Sequence, residues 1–237
     1  MRVRLKTARL PLFGALLAVA LVALLPLRLV LGWVGIGDAG LAARRVDGVL
    51  WGGRLVEARF GDVALGDLDA RLAFFPLFVG RARVELDGEG ARPVHGAVTL
   101  GRHAIGIDDM TASLLTGQLF APLPVTGLDL DDVSVRFRDG QCDHAEGRVR
   151  ATLAGEAGGV PLPPTLSGPA RCDAGALLLP LASQAGSETA TLRVTGNGRY
   201  HAEFSLRPTD PAVAVRLERA GFIGGAQGYR LAVEGRF

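Results

Sequence analysis

Cys142 and Cys172 are the only cysteines in the chain, and polar, metal-capable residues follow each one, in "GQCDH" and "ARCDA". Two chemistries suit such a pair. Thiolates joined by His144 and Asp173 could hold zinc, which accepts sulfur, imidazole and carboxylate ligands. Their C-x-H and C-D spacings match no common zinc module, so this reading is the weaker one. In an oxidising compartment an isolated pair 30 residues apart is most simply a disulfide. Closing a loop of that length stabilises a fold by roughly 3–4 kcal/mol in the chain-entropy treatment. No metal or other cofactor is therefore expected.

The remaining chemistry-bearing residues are scattered. His95, His103, His144 and His201 each fall at a turn or on a polar strand face. The sequence has no G-x-S-x-G elbow, H-E-x-x-H pair or Walker loop. "GWVGIG" (Gly32 to Gly37) has its glycines in the order G-x-x-G-x-G and does not follow a β-strand, so it is no dinucleotide site. The acid pairs Asp108-Asp109 and Asp131-Asp132 place neighbouring carboxylates on opposite faces of any strand, which reads as solvated turn ends. No catalytic set emerges, and the protein is expected not to be an enzyme. Trp51 stands out in "GVLWGG", flanked by glycines at the mouth of an alternating stretch. Its ordinary role there is packing at a strand edge.

Position in the cell decides how these residues behave. The chain has 237 residues, 49% of them hydrophobic and 6% aromatic, with a net charge of +2. All but one of the basic residues are Arg; the exception, Lys6, lies in the N-terminal tail. The Arg residues are interleaved with Asp and Glu, which makes a solvated face and no nucleic-acid stripe. "MRVRLKTAR" carries no acid, and 18 uncharged residues follow from Leu10 to Leu27. This pattern predicts a cytoplasmic basic tail over residues 1–9 and a single membrane anchor over 10–33. Arg28 and Trp33 suit the membrane interface, by snorkelling and by the aromatic belt. A cleaved signal peptide would have a shorter apolar run and an A-x-A-type site, and "LRLVLGWVGIG" has none. Residues 34–237 are then periplasmic.

Beyond residue 34 the period is two. "GDLDARLAF" sets Leu68, Ala70, Leu72 and Phe74 against Asp67, Asp69 and Arg71, and in "RLVEARFG" Val56, Ala58 and Phe60 oppose Leu55, Glu57 and Arg59. "GRARVELDG", "DVSVRFRDG", "GRVRATLAG", "ATLRVTG" and "AVAVRLERAG" alternate likewise. Such alternation marks half-buried antiparallel strands, punctuated by Gly, Asp and Pro. The expected fold is mainly β: one N-terminal transmembrane helix, then an extended or curved antiparallel sheet of roughly ten to fourteen strands. Helical turns are expected only around "DAGLAARRV" and "DDMTASLLTGQLF". The Pro-rich stretch 158–169 is an internal loop or hinge. Without helices to cover it, the apolar face must fold over on itself or stay partly exposed.

Several short motifs recur in a definite order: the "DGVLWGG" strand, "LAFFPLFVGRARVEL", the two cysteine segments "RFRDGQCDHAEGRV" and "LSGPARCDAGALLLPL", then "GNGRYHAEFSLRPTD" and "GFIGGAQGYRLAVEGRF". Over essentially the whole chain this resembles the type II secretion system protein N family. The family pattern has a Trp in the segment corresponding to "ARLAFFP", where this chain has Phe74 and Phe75. The resemblance implies an inner-membrane accessory component of the machine that exports folded proteins. It implies a scaffold or assembly role, with other secretion components as partners and Trp51 as a packing or interface aromatic. The alternative is a tethered periplasmic lipid-binding or lipid-transfer module. Apolar residues on both faces of "LAFFPLFV" and "ALLLPLA" would suit that reading.

Overall fold

The computed structural model describes residues 9–29, 41–61, 63–88, 93–117, 119–157, 159–208, 211–226 and 228–236. Helix α1 (Arg9–Ala23) opens it. The sheet begins with β1 (Leu41–Ala42) and β2 (Arg45–Val49), which share one edge of β3 (Gly52–Phe60). A meander follows through β4 (Val63–Leu72), β5 (Arg81–Gly88), β6 (Val94–Gly101), β7 (Ala104–Leu115), β8 (Val125–Arg138) and β9 (Gln141–Leu153). A small ribbon of β10 (Glu156–Ala157) and β11 (Val160–Pro161) stands apart. The sheet resumes with β12 (Thr165–Pro169), β13 (Arg171–Asp173), β14 (Ala176–Ala182), β15 (Glu188–Val194) and β16 (Arg199–Leu206). Helix α2 (Pro211–Arg219), β17 (Ile223–Gly225) and β18 (Gly228–Arg236) complete it.

Among the described residues one 16-stranded sheet runs β1-β3-β4-β5-β6-β7-β8-β9-β12-β14-β15-β16-β18-β17, antiparallel throughout. It is mainly β, as the alternation predicts, with more strands than expected and several long ones, β7, β8 and β9 having 12, 14 and 13 residues. The Pro-rich stretch does not interrupt it. Residues 165–169 of β12 pair with β9, and Ser167 pairs onward with Ala182 of β14.

The transmembrane expectation meets a shorter element. Helix α1 has 15 residues, which gives about 23 Å of rise against a hydrocarbon core of about 30 Å. No helix among the described residues is long and apolar enough to cross a membrane. Pro26 is the physical reason: it lacks an N–H and drives the residue before it out of the α region. Residues 1–8 and 30–40, Trp33 among them, lie outside the described residues.

Both expected helical turns are corrected. Residues 41–42 and 45–49 are strands, and Ala104–Leu115 is one continuous strand through "DDMTASLL". The helix that does form, α2, lies in a segment read as alternating. Its apolar residues fit either period, but Val213 and Leu217 are four apart and bury together. Gly221, at φ 91°, closes the helix in the left-handed region while the Phe222 N–H donates to the Leu217 carbonyl at 3.0 Å.

Alternation also fails where strands bulge. Glu57, Asp109 and Asp132 sit mid-strand with φ of 52°, 51° and 53°, each at a break in register. The extra residue shifts the parity, so Leu55 and Ala58 both face inward. The acid pairs are therefore bulge residues and not turn ends. Each bulged N–H finds a side chain on a neighbouring strand: Glu57 donates to Asp67 Oδ1 at 2.8 Å, Asp109 to Ser134 Oγ at 2.9 Å, and Asp132 to Thr111 Oγ1 at 3.3 Å. Gly147 faces the Asp132 bulge with φ +99°, and a Cβ there would lie 2.3 Å from the Asp132 carbonyl oxygen. Gly147→Ala should cost about 3 kcal/mol, combining left-handed strain with overpacking. Gly140→Ala, with φ +79° and nothing within 4 Å, should cost only about 1–2 kcal/mol. Denaturant midpoints of the two variants check the order.

Two apolar clusters line the sheet. Leu55, Ala58, Leu68, Ala70, Val94, Met110 and Ala112 form the smaller one, under the first half. The larger one, under the second half, is covered by Phe120 and Leu123 of the β7–β8 connection and by Val213 and Leu217 of α2. Tyr200 joins this cover to the sheet through its hydroxyl, which donates to the Leu119 carbonyl at 2.5 Å. The apolar face, expected to go without helical cover, is thus capped over its larger half.

Candidate interaction site

At the tip where β2 turns into β3 and β4 into β5, apolar residues point away from both clusters. Trp51 lies in the first turn. Phe74 should follow Leu68, Ala70 and Leu72 inward, but β4 ends at Leu72 and the chain bends out. Pro76 then starts a 3-10 turn, Phe75–Val79, closed by Gly80 at φ 70°, whose N–H donates to the Leu77 carbonyl at 3.0 Å. The Trp51 and Phe74 rings meet edge-on at 5.5 Å, and Phe74 meets Phe78 at 5.1 Å. Phe74 is 52% exposed, Phe75 83%, Phe78 74% and Val79 72%.

The N-terminal segment is tied to this tip. The Leu50 N–H donates to the Leu25 carbonyl at 2.9 Å, Pro26 bridges Val49, and Leu27 is buried against Gly53. A Cβ on Gly53 would lie 2.5 Å from Leu27 Cδ2, so glycine is what lets the segment approach. Arg28 is exposed just beyond. Along α1 itself Phe13, Leu16, Leu17 and Leu21, and just after it Leu24, are all more than half exposed.

The cysteines form the expected disulfide, with Cα atoms 5.5 Å apart. It spans β9 and β13 where β9 has lost the ladder it makes with β12. The other residues of the metal alternative are occupied elsewhere: Asp173 accepts from Arg193 Nη1 at 2.8 Å, and His144 Nε2 lies 3.3 Å from Glu146. Among the described residues no group of three or more His, Cys, Asp or Glu could hold a metal ion.

The outer face carries ion pairs. Arg54 grips Asp69 with two bonds of 2.8 and 2.9 Å, and these hold the Asp69 carboxyl below the usual carboxylate range. Both side chains are exposed, so water and salt screen the pair. Asp108 lies between Arg83, Arg136 and the Thr99 hydroxyl, on the wall of a shallow depression of about 240 Å³. Ser134, also in that wall, already serves the Asp109 bulge. Each histidine has a carboxylate within 3.0–3.3 Å: Asp87, Asp139, Glu146 and Glu234 for His95, His103, His144 and His201. All four are exposed or half-buried, which is the setting of surface pairs and not of a nucleophile and its base.

Sequence reasoning singled out Trp51, Arg28 and the two-faced apolar run "LAFFPLFV", but did not bring Trp51 together with Phe74, Phe75 and Phe78 in one cluster. "LAFFPLFV" is apolar at consecutive positions, which no two-faced strand can bury, and that was the signal for it. In "ALLLPLA" the same signal has another cause: β14 is central, and Leu178, Leu179 and Leu181 are all buried within the protein.

A family model described as type II secretion system (T2SS), protein N, matches residues 39–231. A curated protein of Vibrio cholerae serotype O1, named type II secretion system protein N, is 28% identical over 154 residues. The match covers 60% of this chain and 61% of that protein, so it spans less than two thirds of the relative. No solved structure matches.

Proposed function

Because the chain belongs to the type II secretion system protein N family, we propose that it is a non-enzymatic scaffold or assembly component of that secretion system at the bacterial inner membrane. The family match across almost the entire sheet carries this reading. In it, residues 1–9 are cytoplasmic, the apolar segment within 10–33 holds the chain in the bilayer, and the sheet from 34 onward is periplasmic. The uncovered apolar flank of α1 supports the anchor, and the disulfide suits an oxidising compartment. The partners are other components of the same machine, met through surface and strand edge. The charged edge residues Arg44, Arg45 and Asp47, and the very short β17, discourage indiscriminate strand addition.

In cells lacking the gene, exported proteins should accumulate in the periplasm, and the full chain should restore their release. Normal release without the gene would overturn the proposal. An export-dependent reporter fused after residue 60 should be active, and silence there would overturn the topology. Replacing any one of the four histidines with Ala should leave secretion within experimental scatter of wild type. Loss of secretion by a folded, abundant histidine variant would instead reveal a chemical site. The lipid-transfer alternative draws less support, since "ALLLPLA" is consumed by packing inside the sheet.

A further inference from the structure

We propose that the aromatic tip is a second membrane contact, which seats on the surface of a phospholipid bilayer beside the anchor and sets the orientation of the sheet. The inference rests on the anchor reading above and adds a site to it. Three observations carry it. Phe74, Phe75, Phe78 and Val79 are each more than half exposed and contiguous, a concentration of apolar surface that soluble proteins rarely leave open. The tip is placed by the backbone next to the apolar segment, through the Leu25–Leu50 hydrogen bond and the Pro26–Val49 bridge. If α1 enters a bilayer, the turn bearing Trp51 stands where the chain leaves it. Finally, exposed Arg71 and Arg81 flank the aromatic segment in the chain, and exposed Arg28 follows Leu27, which packs against Gly53. Aromatic rings at the headgroup level with Arg around them match what an anionic phospholipid interface favours.

Chemistry and geometry agree on the seating. Trp51 and Phe74 meet edge to face, while Phe75 and Phe78 are the most exposed rings. The 3-10 turn has a defined entry at Pro76 and a left-handed exit at Gly80. A second contact beside a single anchor removes the swivel that one anchor alone would allow. The sheet would then stand at a fixed angle to the membrane.

The test uses the full chain carrying Trp33→Phe, so that Trp51 is its only tryptophan, reconstituted in vesicles of phosphatidylcholine and phosphatidylglycerol. Flotation is read first, then Trp51 emission with plain lipids and with lipids brominated in the upper acyl chain. The expected result is flotation together with loss of Trp51 emission in the brominated vesicles. Adding Phe75→Ser and Phe78→Ser, at exposed positions, should leave flotation and melting temperature unchanged and abolish the quenching. A chain that floats with Trp51 unquenched, or quenched equally in the serine variant, overturns the tip and leaves the anchor standing. A chain that does not float overturns both. A photo-reactive residue at position 78 that captures protein in cells, and not lipid, also overturns the proposal.

Discussion

Phe204→Ala should lower the stability of the folded chain by about 3–5 kcal/mol, a fall in melting temperature of roughly 6–20 °C for a chain of this size. Phe204 has no exposed surface, and it stands on β16 between Ala202 and Leu206, which face the same way. Its ring meets that of Phe222 at 6.3 Å, immediately after the helix that covers this half of the sheet. Removing the ring leaves a void that Leu217 and Phe222 cannot close without moving α2. The control is Phe75→Ala, an equally large truncation at a position 83% exposed, which should change stability by less than about 0.5 kcal/mol. Thermal unfolding of the two variants in the same detergent reads the difference. Equal losses would mean that α2 does not cap the sheet as described.

Cys142→Ser should cost about 3–4 kcal/mol, the loop-closure value for a link across 30 residues. The same loss should appear when the wild-type protein is reduced, and reductant should then do nothing further to the variant. The effect is large because the bond stands in for a missing ladder. β12 pairs with β9 only from Thr165 to Pro169, and β13 turns its hydrogen bonds to β14. Without the link, the start of β9 keeps the Cys142 N–H bond to the Gly175 carbonyl at 2.8 Å and its pairing with β8. Metal content should stay unchanged in the variant. Thiols that label without prior reduction would contradict the pairing.

Much of this architecture is legible from alternation alone. Val133 and Val135, then Val149, Ala151 and Leu153, and Leu192 all bury on the faces that a period of two assigns them. The failures share a physical origin, since period-two reasoning assumes an unbroken strand. At Glu57 one bulged residue reverses the parity, and nothing in "LVEARF" marks a non-glycine residue for positive φ. In "PAVAVRLER" the same apolar set serves both periods, and the burial of Val213 with Leu217 against the sheet decides for helix. The aromatic tip was hidden for a different reason. Phe74 continues the inward set of β4 in sequence, and only the bend after Leu72 sends it outward. The apolar N-terminal run reads as one span, yet Pro26 ends its helix and turns the chain into contact with Val49.

The proposed function is binding within the secretion assembly at the membrane. The measurement closest to it is quantitative cross-linking in intact cells, with the full chain recovered from solubilised membranes and compared with cells lacking the other secretion genes. Type II secretion components should be enriched on the chain in the first cells and absent in the second. Recovery of the folded, membrane-bound chain with no secretion component above the control level would contradict it.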